Sequence, residues 1–161
     1  MVKVANEMNS AADAPAHAGL PAWEQIPDIE LYMDQVIALM TRYLGPTAED
    51  GSKILTASMV NNYVKTGLVP APAKKRYTRE HLAYLAIICL LKAVLPLSAI
   101  RTLLERELAE RSIAEFYAEF RASVVAAEEA ARADYESGPS PALRAALRAR
   151  AERELAVAFY S

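Results

Sequence analysis

The sequence contains little cysteine, glycine or phenylalanine, and each shortage excludes a class of fold. One cysteine, Cys89, in 161 residues excludes a disulfide framework and any multi-cysteine zinc or iron–sulfur site. Five glycines, three phenylalanines and one tryptophan argue against a sandwich or barrel, which needs β-branched runs and many turn glycines. Alanine, leucine, glutamate and arginine dominate instead, and all four favour helices. The composition therefore predicts an all-α chain.

Long apolar runs are missing as well. The longest run, from Leu82 to Leu91, is interrupted by Lys92 and has about half the length that a membrane span requires. The first four residues do not begin an apolar segment of the signal-peptide type. We therefore expect a cytoplasmic protein that does not cross a membrane.

Residue patterns for catalysis and metal binding are scarce. His17 lies in a polar leader, and His81 opens an apolar helix, where we expect it at the surface or in a structural hydrogen bond. Cys89 lies midway along that helix with no base nearby in sequence, which favours a buried structural thiol. No glycine-rich phosphate loop and no hydrolase motif occurs. We expect no enzymatic activity, no cofactor and no bound metal ion.

Prolines, glycines and apolar spacing divide the chain into three parts. Residues 1–22 are rich in Ala, Pro, Asn and Asp without periodicity, which predicts a disordered leader. Residues 23–110 form the main domain, with Trp23, Ile26 and Ile29 expected to pack against it. Residues 111–161 have the pattern of a helical hairpin. Within the main domain helices are expected at about 29–44, 57–66, 79–94 and 97–110.

Each helix of the predicted hairpin carries an apolar stripe. The stripe of the first helix consists of Ile113, Phe116, Tyr117, Phe120 and Val124. The stripe of the second helix has strict i+4 spacing and consists of Leu143, Leu147, Ala151, Leu155 and Phe159. Because neither helix buries its stripe alone, we expect the hairpin to pack on itself, to cover the domain core or to dimerise with a second chain.

Basic side chains are concentrated in one segment, although the net charge of the whole chain is −2. Residues 53–80 carry six basic side chains and one acidic, whereas residues 1–52 carry two basic and eight acidic. A local basic surface is what non-specific nucleic-acid binding requires. The segment 53–80 is therefore the candidate for such a surface.

A short helix is predicted within this basic segment. Thr56 is its expected N-cap and Gly67 its C-terminal stop. Two successive asparagines, Asn61 and Asn62, disfavour a helix. Two interpretations stay open: the pair is exposed at little cost, or its amides are held out to bind a partner, since asparagine can pair with adenine edges in the major groove.

A basic arm, residues 70–77, follows this helix. Pro70 and Pro72 impose extended geometry on their neighbours, which predicts a short extended arm or a tight hairpin. Its tip carries Lys74, Lys75 and Arg76, which can hold phosphates and so contribute affinity without sequence information. Helix, arm and the following apolar helix together favour nucleic-acid binding.

The motifs of this region resemble a known family. Residues 54–105 look like the DNA-binding half of MerR-type regulators, with Met59-Val60-Asn61-Asn62-Tyr63-Val64-Lys65-Thr66-Gly67-Leu68-Val69 in place of the recognition helix. The run from Leu55 to Tyr77 resembles more closely the bacterial domain-of-unknown-function family 1836, which is regarded as MerR-like. This resemblance covers about residues 23–105. It departs from MerR at Asn61-Asn62-Tyr63, where that family usually has Arg-Tyr-Tyr.

The resemblance implies a MerR-like winged helix-turn-helix domain with a short wing, in a homodimeric transcriptional regulator that binds double-stranded DNA. Its effector, if any, is unknown. The candidate DNA-binding residues are Lys53, Ser58, Asn61, Asn62, Lys65, Lys74, Lys75, Arg76, Tyr77 and Arg79. Tyr77, together with Tyr63, is expected to lock the helix and the arm against the core. The alternative is a protein–protein interaction module that retains the helix-turn-helix shape without DNA binding, which the acidic first helix and the stripe of Ile113, Phe116 and Phe120 suggest.

Overall fold

The computed structural model describes residues 19–45, 51–136 and 139–160. It contains a 3₁₀ turn at Trp23–Gln25 and six α-helices in these ranges: α1 (Met33–Leu44), α2 (Ala57–Lys65), α3 (Arg79–Leu91), α4 (Leu97–Glu107), α5 (Ile113–Glu136) and α6 (Pro141–Tyr160). Extended pairing within the described residues is limited to two isolated bridges. The prediction of an all-α chain is confirmed. Residues 1–18 of the predicted leader, including His17, and Gly138 of the hairpin turn lie outside these ranges.

Helix α1 begins four residues later than the apolar spacing predicted. Leu31 and Tyr77 exchange two backbone hydrogen bonds, of 2.8 and 2.9 Å, so Leu31 is held in extended geometry. Tyr32 then becomes the N-cap residue, and its backbone N–H donates to Gln35 Oε1 at 2.8 Å. The bridge to a residue 46 positions away prevents the helix from starting at Ile29.

Helix α3 is the centre of the core, as its apolar composition predicted. Eight of its residues are buried, and it packs against α1, α4 and α5. It ends at Leu91 instead of Val94, where the chain turns toward Pro96. Helix α4 ends at Glu107, three residues earlier than predicted. Both differences concern helix ends, where sequence patterns are least informative.

The N-terminal part of the domain is packed further upstream than predicted. Leu20 is buried, and its carbonyl accepts a hydrogen bond from Arg121 Nε at 2.9 Å. The hydroxyl of Tyr117 donates to the carbonyl of Pro21 at 2.8 Å. The predicted boundary at residue 23 is therefore too late. The expectation for Ile29 is wrong, since 62% of this side chain is exposed.

The two C-terminal helices differ in whether their apolar stripes are buried. Helix α5 packs against α3 and the 3₁₀ turn, and Ile113, Phe116 and Tyr117 are buried. Helix α6 contacts α4 and α5 through Val157 and Tyr160, among others, while its predicted stripe faces solvent. The stripe of α6 is thus buried neither by the hairpin nor by the domain. No helix among the described residues is long and apolar enough to cross a membrane.

Candidate nucleic-acid interface

Helix α2 presents a polar face on the side opposite to its buried residues. Val60 and Tyr63 are buried, and burial raises the pKa of the Tyr63 phenol. The exposed face has i, i+3, i+4, i+7 spacing and consists of Ser58, Asn61, Asn62 and Lys65. The amide groups of Asn61 and Asn62 form no hydrogen bond with any other described residue. This face is therefore available to a partner.

The N-terminal end of α2 is anchored by its own cap and by α3. Thr56 Oγ1 accepts a hydrogen bond from the backbone N–H of Met59 at 3.2 Å, as predicted for the N-cap. Lys92, just past the end of α3, donates through Nζ to the carbonyl of Ile54. Cys89 Sγ lies 3.7 Å from the same carbonyl. Burial raises the pKa of the Cys89 thiol to about 11, which fits its predicted structural role.

The C-terminal end of α2 is anchored as well. The backbone N–H groups of Leu68 and Val69 donate to the carbonyl of Tyr63, and Gly67 makes the turn at φ +71°. Arg101 of α4 donates through Nη2 to the carbonyl of Thr66 at 2.6 Å. Since both ends of α2 are tied to the core, the exposed face has a defined orientation.

The basic arm contains a tight two-residue turn, which we call the basic turn (Ala73–Arg76). Ala73 and Arg76 form a bridge, with the backbone N–H of Arg76 donating to the carbonyl of Ala73 at 2.9 Å. Lys74 and Lys75 occupy its two central positions with φ of 50° and 58°. Two successive positive φ angles are typical of a type I′ turn, which favours Asn-Gly at these positions. Of the two predicted forms, the tight hairpin is the one present.

Arg76 is held in place by an aromatic side chain that the sequence reasoning missed. Its guanidinium carbon lies 3.9 Å from the centre of the Tyr32 ring. Tyr32 is the N-cap residue of α1, and 51% of it is exposed. The bridge between Leu31 and Tyr77 brings the two side chains together. No local pattern indicates this contact, since 44 residues separate the partners.

Two of the predicted DNA-binding residues have structural contacts instead. The Tyr77 ring is buried and packs edge-on against the His81 ring, with centroids 5.4 Å apart, so it has little surface for DNA. Arg79 donates through Nε to the carbonyl of Ile26 at 3.0 Å and lies over the Trp23 ring. Arg79 is thus committed to the N-terminal segment. Tyr77 does lock the arm against the core, as expected.

His81 connects the arm to the core helix. Its Nδ1 atom accepts from the backbone N–H of Thr78 at 3.0 Å, which places the imidazole at the third position of a capped helix start. Its Nε2 atom is buried without a hydrogen-bond partner among the described residues. Burial lowers the pKa of His81, and the nearby backbone carbonyls of Pro70 and Ala71 oppose this shift. The residue is structural and lies in the interior.

The remaining candidate cations are exposed. The side chains of Lys53, Lys65, Lys74 and Lys75 are solvent-accessible, and none forms an ion pair with another residue that the structure describes. Arg76 is half-buried against Tyr32. The structure therefore leaves seven of the ten predicted residues exposed, one partly exposed and two in structural contacts. Within the described ranges, no group of three or more His, Cys, Asp and Glu side chains could hold a metal ion.

These observations define an all-helical domain in which a capped helix exposes two asparagine side chains and a tight turn carries two lysines. Residues 21–120 match the model of the family described as domain of unknown function, DUF1836. The chain belongs to this family. No curated protein and no solved structure matches it. The family match includes α1 to α4 and ends within α5, so α6 lies outside it.

Proposed function

We propose that this chain is a DNA-binding transcriptional regulator of MerR-like type. In this proposal α1 and α2 form the helix-turn-helix, α2 reads base edges in the major groove, and the basic turn acts as a short wing on flanking phosphates. The protein acts in the cytoplasm as a homodimer and has no catalytic role. The observation that carries the proposal is the pair of lysines at the two positive-φ positions of the basic turn.

The conformation of Lys74 and Lys75 supports a role for their charge. A side-chain-bearing residue in the left-handed region costs about 1–2 kcal/mol, whereas glycine adopts it freely. Both central residues of the turn carry this cost, at φ of 50° and 58°. Strained backbone of this kind is found at functional sites, where the side chain has a role that the residues favoured by the turn could not fill. Two exposed ammonium groups at the tip of a turn suit the negative charge of a phosphate backbone.

The exposed face of α2 supports a role in base recognition. Asn61 and Asn62 project unpaired amides from a helix whose ends are both fixed. An asparagine side chain can bind adenine through two hydrogen bonds: its NH₂ group donates to N7, and its carbonyl oxygen accepts from the N6 amine. Both bonds form only when the amide is held in the matching orientation. Lys65, one turn further along this face, can contact an adjacent phosphate. A fixed helix lowers the ordering cost of such contacts on binding.

The salt dependence of binding to random-sequence duplex DNA tests the proposal. With five phosphate contacts per copy, the logarithm of the association constant falls against the logarithm of salt concentration with a slope of about −4 to −5 for each bound copy, and about −9 for a homodimer bound through both copies. The double variant Lys74→Ala/Lys75→Ala should make this slope shallower by about 2 for each bound copy. The matched control, Arg132→Ala/Arg153→Ala, removes two exposed cations from α5 and α6 and should leave the slope unchanged. A flat salt response in the wild type contradicts the proposal.

Selection of preferred sequences from a random duplex pool tests the role of α2. The wild type should enrich a motif that contains adenine, and Asn61→Ala/Asn62→Ala should lose the enrichment while keeping its salt slope. Failure of both DNA experiments would favour the alternative, an interaction module without DNA binding. The apolar stripe that begins α5 was one reason for this alternative. Ile113 and Phe116 of that stripe are buried within the domain, so packing of the fold explains their apolar character.

A further inference from the structure

A small pocket lies beside the C-terminal end of α2, lined by residues of α3, of α4 and of the turn that follows α2. Its volume is about 210 Å³. Leu68 and Leu104, which are buried, and Leu108, which is half-buried, form its apolar part. Pockets for drug-sized ligands typically measure about 300–1,000 Å³, so this pocket suits a smaller molecule with an apolar part.

Two opposite charges line this pocket one turn apart on α4. Arg101 and Glu105 have the i, i+4 spacing at which such side chains often form an ion pair on a helix. Arg101 instead donates through Nη2 to the carbonyl of Thr66 at 2.6 Å. The Glu105 carboxylate forms no ion pair with any residue that the structure describes. The pocket therefore presents a cation and an anion that do not pair with each other.

Arg101 keeps donors for a ligand. A guanidinium group has five N–H donors, and the contact with Thr66 uses one of them. Gly67 places no side chain over this group, since even a Cβ atom there would lie 3.8 Å from Nη1. Tyr84 also lines the pocket, and burial, together with the nearby Glu80 carboxylate, raises the pKa of its phenol. Its hydroxyl therefore stays protonated and can donate, and a carboxylate suits both donors.

We propose that this pocket binds a free amino acid with an apolar side chain. The carboxylate of the ligand accepts hydrogen bonds from Arg101 and Tyr84, its ammonium group donates to Glu105, and its side chain lies on the three leucines. Both charged groups of an amino acid are attached to one carbon atom, so the ligand can contact two opposite charges one helical turn apart. The proposal goes beyond DNA binding and does not rest on it, because the pocket is complete without DNA.

The pair of opposite charges disfavours other small ligands. Inorganic phosphate or a simple carboxylate would satisfy Arg101 but would lie close to the carboxylate of Glu105. A simple amine would satisfy Glu105 but would lie close to the guanidinium of Arg101. Like charges placed near each other oppose binding. Because Arg101 also holds the C-terminal end of α2, an amino acid in this pocket lies directly beside the candidate interface.

Isothermal titration calorimetry of the full chain without DNA tests the proposal, with L-leucine as the first probe. L-leucine should occupy one site per chain with a Kd of roughly 0.01–1 mM, as its small size implies. Isocaproate, which lacks the ammonium group, and isoamylamine, which lacks the carboxylate, should each bind about tenfold more weakly or worse. Absence of binding by L-leucine, L-valine and L-methionine alike would overturn the proposal. Equal affinity for L-leucine and either analogue would overturn it as well.

A variant of Glu105 tests the position of the ligand. Glu105→Gln should weaken L-leucine binding about tenfold but should not weaken isocaproate binding, because only the ammonium group contacts this residue. Glu105 is exposed, so the fold should be retained, whereas Arg101→Gln would also remove the contact with Thr66. The matched control, Glu110→Gln, changes an exposed carboxylate outside the pocket and should bind L-leucine as the wild type does.

Two results with these variants would contradict the proposed site. Unchanged L-leucine affinity in Glu105→Gln would show that the ammonium group does not contact this carboxylate. Equal loss in Glu110→Gln would show that binding depends on the overall charge of the chain. Because no DNA is present, these results are independent of the outcome for the candidate interface.

Discussion

The guanidinium carbon of Arg76 lies 3.9 Å from the centre of the Tyr32 ring, which ties the basic turn to the start of α1. A cation over an aromatic face at an exposed site contributes about 0.5–1 kcal/mol. This contact orients Arg76 at the base of the basic turn before any partner binds. The pair therefore connects the N-terminal helix of the domain to the candidate interface.

Removal of the Tyr32 ring should weaken DNA binding. Tyr32→Leu should lower the affinity for random duplex DNA about two- to fivefold, because Arg76 loses the contact that orients it. Tyr32→Phe retains the ring and should bind as the wild type does. Fluorescence anisotropy at constant salt measures both. Equal affinity in all three proteins would show that the stacking does not contribute to binding.

Replacement of the turn residues should separate stability from binding. Lys74→Asn/Lys75→Gly provides the residues that a type I′ turn favours and should raise the free energy of unfolding by about 1–2 kcal/mol. The same variant removes two cations and should make the salt slope of DNA binding shallower by about 2 for each bound copy. Urea unfolding and salt-dependent anisotropy measure the two effects.

The control for this variant keeps both charges and the strained backbone. Lys74→Arg/Lys75→Arg should match the wild type in stability and in salt slope. A stabilised Asn-Gly variant with unchanged DNA affinity would show that the lysine charges do not contact phosphates. An Asn-Gly variant without added stability would show that the turn carries no strain.

His81 should make the stability of the fold depend on pH. Burial lowers the pKa of His81 in the folded state, while the unfolded residue titrates at about 6.5. Below about pH 6.5 the unfolded state therefore binds more protons than the folded state. The stability that neutral His81 contributes is lost as the pH falls through the pKa of His81 in the folded state. Above about pH 6.5 both states are neutral, and the contribution is constant.

Urea unfolding at neutral and mildly acidic pH measures this dependence. His81→Gln keeps an acceptor for the Thr78 backbone N–H but cannot be protonated, so its stability should fall less between the two pH values. An identical loss in wild type and His81→Gln would assign the effect to other groups.

Loss of the Tyr117 hydroxyl should destabilise the domain. Tyr117 is fully buried, and burial raises the pKa of its phenol to about 12. Its hydroxyl donates to the carbonyl of Pro21 at 2.8 Å. Tyr117→Phe leaves that carbonyl without its donor and should lower the free energy of unfolding by about 1–3 kcal/mol in urea unfolding. Tyr135→Phe, on an exposed tyrosine of α5, should change it little.

Much of the helical architecture could be predicted from local patterns. The cap at Thr56, the stop at Gly67 and the apolar composition of α3 are confirmed because each depends on residues within a few positions. The start of α1 was wrong because a backbone bridge from Tyr77 holds Leu31 in extended geometry. The predicted leader was too long because Leu20 and Pro21 are bound by residues of α5.

Only the parts of the candidate site that depend on local patterns could be predicted from the sequence. The exposed face of α2 follows from helical spacing, and the lysines of the basic turn follow from charge and proline positions. The contacts of Tyr32 with Arg76 and of Arg101 with Thr66 join residues 44 and 35 positions apart, and no periodic pattern shows them. Arg79 has the charge of a phosphate-binding residue, but the packing of Trp23 and Ile26 beside it engages its guanidinium.

By itself the sequence determined the helical class, the order of the helices and the concentration of basic side chains in residues 53–80, because propensity, periodicity and charge are local properties of the chain. Only the tertiary structure decided which apolar stripe is buried. Both α5 and α6 carry an apolar stripe, but the stripe of α5 lies against α3, whereas the stripe of α6 faces solvent. Burial depends on what the rest of the chain places opposite a surface, and no single segment contains that information.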